Sequence, residues 1–132
     1  KVRMLQSIAA ICAGASAGAV LRWLLALGLN SAFPLLPLGT LAANLLGGFL
    51  MGLALCFFAA FPALPAEWRL LFVTGFLGAL TTFSAFSAEV SLMLMQQRLA
   101  LAAGTIALHV CGSLLMTFLG MGAYQLAARA LR

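Results

Sequence analysis

A set of polar side chains near the carboxyl end repeats at four-residue spacing inside an otherwise apolar stretch. These residues are Thr105, His109, Ser113 and Thr117. Side chains at this spacing lie near one another on the surface of a helix. A single hydroxyl can bond the carbonyl one turn back, but four polar groups in register, one of them an imidazole, predict a hydrated track through a membrane helix.

Two further polar residues have roles that the sequence leaves open. Asn44 lies in an apolar run, where an amide without partners is costly. It either bonds the backbone of a neighbouring helix or offers its two N–H groups to a passing solute, and N–H donors suit an anion. Arg22 precedes Trp23; its side chain either snorkels to the membrane interface or raises the local anion concentration at the mouth of a pathway.

The segment 74–84 contains two glycines and four hydroxyl residues, and it predicts a break in the third hydrophobic helix. Phe83 and Phe86 follow the break and flank Ser84. Unpaired backbone groups at membrane depth are tolerated where they line a cavity or bind an ion. A phenyl edge is electropositive and can face an anion that has shed water, although lipid contact or packing is the common role of phenylalanine. Glu89 is either a proton carrier or a partner for a nearby donor.

The composition sets the fold class. Of 132 residues, 65% are hydrophobic and 7% are charged, against about 25% charged in soluble domains, which excludes a soluble globular protein. A spanning helix needs about 20 apolar residues. We predict an all-α integral membrane protein with a single membrane domain over 1–132 and no room for a catalytic domain, so it is not an enzyme. The predicted spans are approximately 4–29, 38–61, 68–95 and 99–128.

Charge and cysteine content narrow the class further. The formal net charge is +5, but the basic residues lie at predicted helix ends, which indicates membrane interfaces rather than nucleic acid. Three cysteines, an odd number, lie within predicted spans at 12, 56 and 111. We expect buried, unreactive thiols rather than a disulfide framework. Because the first apolar run continues through Arg22, we also expect a span rather than a cleaved signal peptide.

Glycine pairs at four-residue spacing indicate close helix packing. The pairs are Gly14 with Gly18 and Gly48 with Gly52, a spacing that lets membrane helices approach backbone to backbone. Four short helices packed in this way leave no space for a private channel. We therefore expect any pathway to form between subunits of an oligomer.

Three motifs resemble the small double-barrelled fluoride channels (Fluc) of bacteria. They are Gly-Ala-Val-Leu-Arg-Trp at 18–23, Gly-Thr-Leu-Ala-Ala-Asn-Leu-Leu-Gly-Gly at 39–48, and Thr-Gly-Phe-Leu-Gly-Ala-Leu-Thr-Thr-Phe-Ser-Ala-Phe-Ser-Ala-Glu at 74–89. The resemblance implies a passive fluoride channel of the bacterial inner membrane. It also implies an antiparallel homodimer of four-helix subunits with dual topology, and two fluoride pores along the subunit interface.

The same resemblance assigns residues. It implies that Asn44, Phe83 and Phe86 line the pores, that Arg22 is a vestibule arginine, and that the stripe from Thr105 to Thr117 is a polar track. Adjacent Ser84 is expected to donate a hydrogen bond to fluoride. A structural sodium ion at the dimer centre is implied as well, held by backbone carbonyls of both subunits at Gly78 and Thr81.

The sequence departs from the family pattern at two positions and leaves alternatives open. His109 stands where relatives carry a serine, and Ala85 stands where a threonine is common. If the termini and the 62–68 loop share one side of the membrane, basic residues divide five against two between the two sides, whereas an unbiased dual-topology protein is nearer to balance. A proton-coupled exporter of the small multidrug-resistance kind is the alternative function, although the first span lacks a carboxylate. A non-conducting anchoring subunit is a third.

Overall fold

The computed structural model describes residues 2–33 and 35–131, which form helices joined by short turns. Four stretches are long and apolar enough to cross a membrane: Val2–Leu29, Leu38–Ala60, Ala66–Met95 and Leu99–Ala130. The first, second and fourth are the helices α1 (Val2–Leu29), α2 (Leu38–Ala60) and α6 (Leu99–Ala130). The third comprises α3 (Ala66–Arg69), a π-helix (Leu70–Leu77), α4 (Gly78–Leu80) and α5 (Phe83–Met95). The predicted all-helical fold with four potential spans is confirmed.

The last two helices are joined by a tight connection. Gln97 adopts a left-handed conformation with φ of 59°. Its N–H donates to the carbonyl of Leu94 at 3.0 Å, and the next N–H, from Arg98, donates to the carbonyl of Met93 at 2.9 Å. This pattern ends a helix by satisfying its last carbonyls. α5 therefore stops abruptly, and the chain turns directly into α6.

The glycine pairs lie at the two main helix interfaces. α1 packs along the π-helix and α2 packs along α6. A Cβ atom at Gly14 or Gly18 would collide with backbone of the π-helix, and one at Gly48 or Gly52 would collide with backbone of α6. The predicted packing role of these four glycines is confirmed.

The interior is small and the outer surface is apolar, as a bilayer requires. Leu77, Leu80 and Ala43 are fully buried. Large apolar side chains on the outer face of α6 are exposed, including Phe118. Cys12 and Cys111 are exposed as well, so the expectation of burial is wrong for these two. Both lie on outward helix faces, where a thiol acts as a small hydrophobic group toward lipid.

Candidate functional site

The helical hydrogen bonding changes at Thr81 and Thr82, where the backbone is extended. In a continuous helix, the N–H of Thr82 would donate to the carbonyl of Gly78. It donates instead to Oδ1 of Asn44, at 2.7 Å. The N–H of Ala85, which would reach Thr81, donates to Oγ1 of Thr82 at 3.1 Å and so caps α5. The carbonyls of Gly78 and Thr81 therefore lack their usual helical donors.

The Asn44 amide is fully engaged as a donor within the protomer. Its Nδ2 atom donates to the carbonyl of Thr82 at 3.1 Å and lies 3.0 Å from Nδ1 of His109. Of the two roles that the sequence left open, bonding to neighbouring backbone is observed. An anion that approaches this amide meets N–H groups that already have partners.

The imidazole of His109 is held between an amide and an aromatic ring. His109 is buried, with 4% of its surface exposed. Phe86 stacks on it with ring centroids 4.6 Å apart and an interplanar angle of 27°. Phe83 meets Phe86 edge-on, with centroids 5.4 Å apart, and is itself 76% exposed. Nε2 of His109 is buried and has no hydrogen-bond partner among the described residues.

These side chains line a groove of about 350 Å³ on the protomer surface. Its lining residues are Asn44, Gly47, Gly48, Met51, Thr81, Thr82, Phe83, Phe86, His109, Val110, Ser113 and Thr117. The groove brings together six of the residues predicted for the pathway, from α2, α5 and α6. The Thr117 hydroxyl donates to the carbonyl of Ser113 at 2.9 Å, so its lone pairs remain free to accept.

A second cavity of about 400 Å³ contains Arg22 and Glu89 and shares Thr82 as a wall with the groove. The hydroxyl of Thr40 donates to Oε1 of Glu89 at 2.6 Å, and Oε2 is buried without a partner in the described part of the chain. Of the two roles left open for Glu89, pairing with a nearby donor is observed. A role for Thr40 was not predicted from the sequence. Its position one helical turn before Asn44 was the feature that could have indicated one.

Three predicted pathway residues lie outside the groove. Thr105 is buried between α5 and α6, where its hydroxyl donates to the carbonyl of Leu101 at 2.9 Å and lies 3.5 Å from the sulfur of Met93. Ser84 is exposed, and its Oγ lies 3.3 Å from Oγ1 of Thr82. Arg22 borders the second cavity and does not line the groove.

The proposed cation position differs from a side-chain metal site. Gly78 is exposed on the protomer surface and Thr81 is half-buried. Within 2–33 and 35–131, no group of three or more His, Cys, Asp or Glu side chains is placed to hold a metal. A cation bound near α4 would therefore depend on backbone oxygens.

Comparison with known proteins gives a consistent family assignment. Residues 9–121 match the family model described as CrcB-like protein, Camphor Resistance (CrcB). A protein from Tolumonas auensis is 64% identical over 96% of this chain and 100% of its own length. One from Desulfovibrio desulfuricans is 57% identical over 93% of this chain and 95% of its own. One from Pseudomonas aeruginosa is 58% identical over 89% and 93%, respectively. All three carry the name fluoride-specific ion channel FluC.

Proposed function

The chain belongs to the family of CrcB-like proteins, and from that premise we propose that it is a passive, fluoride-specific channel that lets cytoplasmic fluoride leave the cell. It is a multi-pass cell membrane protein of a transport family rather than an enzyme. The observation that carries the proposal is the position of Thr82, which separates the cavity of Arg22 from the groove of Asn44 and His109.

Fluoride conduction requires that lost water be replaced by weakly held partners at several positions, so that the ion enters and also leaves. In the proposed route, the positive charge of Arg22 concentrates the anion beside Thr82. The ion then passes into the groove, where N–H and O–H donors and the edges of phenyl rings face it. Asn44 contributes when its bond to the Thr82 carbonyl is exchanged for the ion while its contact with Nδ1 of His109 is kept, and Ser84 adds a donor outside the groove.

The remainder of the track lies along α6. Ser113 and Thr117 line the groove beyond His109. The hydroxyl of Ser113 is suited to donate to the ion, and the hydroxyl of Thr117 contributes when its bond to the Ser113 carbonyl is exchanged for the ion. Thr105 has a supporting role, because it lies outside the groove and its hydroxyl bonds within α6. Phe83 and Phe86 form the apolar side of the same route.

We further propose that the working unit is an antiparallel homodimer with dual topology. Polar atoms along an open groove would be costly against lipid, and Phe83 is largely exposed in the protomer. A second copy laid over this face would close the groove and create two symmetry-related pores. The third helices, interrupted at Thr81 and Thr82, would cross at the dimer centre.

The chain also fits the structural sodium ion proposed for that centre. The carbonyls of Gly78 and Thr81 lack helical donors because the N–H groups of Thr82 and Ala85 bond elsewhere. Free backbone carbonyls at helix interruptions are suitable sodium ligands. Two copies would supply four such oxygens, and the bound ion would contribute a fixed positive charge that joins the subunits.

Fluoride efflux from proteoliposomes tests the function. Vesicles loaded with potassium fluoride are diluted into fluoride-free buffer with a potassium ionophore, and release is followed with a fluoride-selective electrode. We expect rapid release that needs no pH gradient, and retention of chloride in a parallel sample. Silence would contradict a channel, and release that depends on a proton gradient would favour the exporter. The names of the relatives and the lack of a carboxylate in α1 do not favour that alternative.

A further inference from the structure

The hydrogen bonds around Asn44 determine which nitrogen of His109 carries a proton. The N–H of Thr82 can only donate, so the atom it reaches at 2.7 Å is the amide oxygen of Asn44. The amide nitrogen of Asn44 therefore faces Nδ1 of His109 at 3.0 Å. An amide nitrogen is a donor only, so Nδ1 accepts. The ring is thus a neutral imidazole with its proton on Nε2.

This proton has no acceptor among the residues that the structure describes. Nε2 of His109 is buried and lacks a partner among the described residues, although buried N–H groups are rarely left without one. By contrast, both N–H groups of Asn44 are occupied. The stacked ring of Phe86 and the amide of Asn44 fix the imidazole on two sides, so its orientation is set before any ligand arrives.

We propose that the Nε2–H group of His109, which is buried beneath the groove surface in the protomer, becomes the fluoride-binding donor of the groove when a neighbouring side chain moves aside, and that Asn44 is a positioning residue that selects this tautomer. The inference rests on the proposed function and deepens it by naming the atom that contacts the ion. A neutral N–H donor suits a conducting site, because it binds the anion without the added attraction of a full positive charge, which would slow exit.

Two substitutions of His109 by amide residues distinguish the roles of the two ring nitrogens. In His109→Gln, the side-chain amide reaches about as far as Nε2 and supplies a donor there, but it does not replace Nδ1. In His109→Asn, the shorter amide lies near Nδ1 and can accept from Asn44, but it provides no donor at the position of Nε2. We expect His109→Gln to keep most of the fluoride efflux rate and His109→Asn to lose about tenfold or more, as for loss of a hydrogen bond to a charged group.

The opposite ranking would show that His109 serves only to hold Asn44, and it would overturn the proposal. Equal rates in both variants would overturn it as well. Size-exclusion profiles and thermal unfolding of each variant show whether the fold is intact. Efflux through the wild-type protein distinguishes the two hypotheses. If the wild type releases no fluoride, the proposed channel function is wrong. If the wild type conducts but the two variants rank in the opposite order or equally, only the proposed role of His109 is wrong.

The protonation state of His109 can also be measured by NMR on the unaltered protein, so this test does not depend on whether the variants fold. The chain contains one histidine, so protein labelled with ¹⁵N-histidine gives imidazole signals from His109 alone. We expect protonated Nε2 and unprotonated Nδ1, with the Nε2–H signal moving on addition of sodium fluoride and not of sodium chloride. Protonation at Nδ1, or an Nε2–H signal that ignores fluoride, would overturn the assignment.

Discussion

The side-chain amide of Asn44 bonds both backbone groups of Thr82, accepting its N–H at 2.7 Å and donating to its carbonyl at 3.1 Å. One residue of α2 therefore satisfies the backbone between α4 and α5, 38 positions later in the chain. Without the first of these bonds, the buried N–H of Thr82 would face a membrane interior without a partner, which is unfavourable; the Thr82 carbonyl, at the N-cap of α5, also accepts the first hydrogen bond of that helix. The pairing also explains how α5 can restart at Phe83 with its aromatic rings directed along the groove.

Replacing Asn44 with aspartate tests this pairing and the route together. A carboxylate still accepts from the N–H of Thr82, but it cannot donate to the Thr82 carbonyl or to Nδ1 of His109, and it adds negative charge to the groove. We expect fluoride efflux to be lost and the free energy of unfolding to fall by about 1–3 kcal/mol, measured with the fluoride electrode and by thermal unfolding in detergent.

Asn30→Asp is the matched control for stability. Among the described residues, the side-chain amide of Asn30 makes one hydrogen bond, in which it accepts from the N–H of Gly39 at 2.8 Å, and a carboxylate retains that bond. We expect little change in its free energy of unfolding. Normal fluoride efflux through Asn44→Asp would contradict the assignment of the groove as the pathway.

The sequence was sufficient to predict a membrane protein, because uncharged apolar stretches long enough to span a bilayer seldom serve another structural role. It also identified Asn44 as a residue that needs partners and His109 as part of a polar stripe. It did not predict the partners, since pairing across 65 positions is set by tertiary packing. The π-helix Leu70–Leu77 was not predicted, because no pattern of residue types indicates where helical hydrogen bonding changes to the π-helical form.

The polar stripe on α6 shows a second limit. With 3.6 residues per turn, each four-residue step turns the side chain by about 40° relative to the previous one. Three steps separate Thr105 from Thr117, so the two point in directions about 120° apart. Thr105 consequently faces Met93 on α5, whereas His109, Ser113 and Thr117 line the groove. Equal spacing in sequence was not enough to place all four residues on one surface.

Phe83→Ile separates conduction from folding. Phe83 is 76% exposed in the protomer, so its replacement removes little buried surface inside the subunit, but it deletes a ring edge from the groove. We expect efflux to fall below detection while the size-exclusion profile stays that of the wild type. Phe118→Ile, at a residue 69% exposed on α6 and not among those lining the groove, should conduct normally. Loss of the oligomer in Phe83→Ile would assign the ring to subunit packing.

Sodium removal tests the proposed carbonyl site at Gly78 and Thr81. A ligand that binds only the folded assembly stabilises it by mass action, about 2.7 kcal/mol at a hundred times its dissociation constant. We therefore expect exchange of sodium for N-methylglucamine at constant ionic strength to lower the thermal unfolding temperature and to favour the monomer. Potassium serves as a control for cation charge. Identical unfolding curves in all three buffers would contradict a structural sodium ion.

A matched pair of substitutions at two glycines of α6 tests whether α2 and α6 approach each other closely. A Cβ atom at Gly120 would collide with backbone of α2 at Phe49, whereas one at Gly122 has no neighbour within 4 Å. We expect Gly120→Ala to lower the free energy of unfolding by about 1–3 kcal/mol through overpacking. Gly122→Ala should raise it by up to about 1 kcal/mol through helix propensity. Because α2 carries Asn44 and α6 carries His109, separation of the two helices should also reduce fluoride efflux in Gly120→Ala alone. Equal stability and equal efflux in both variants would mean that the two helices do not meet at Gly120.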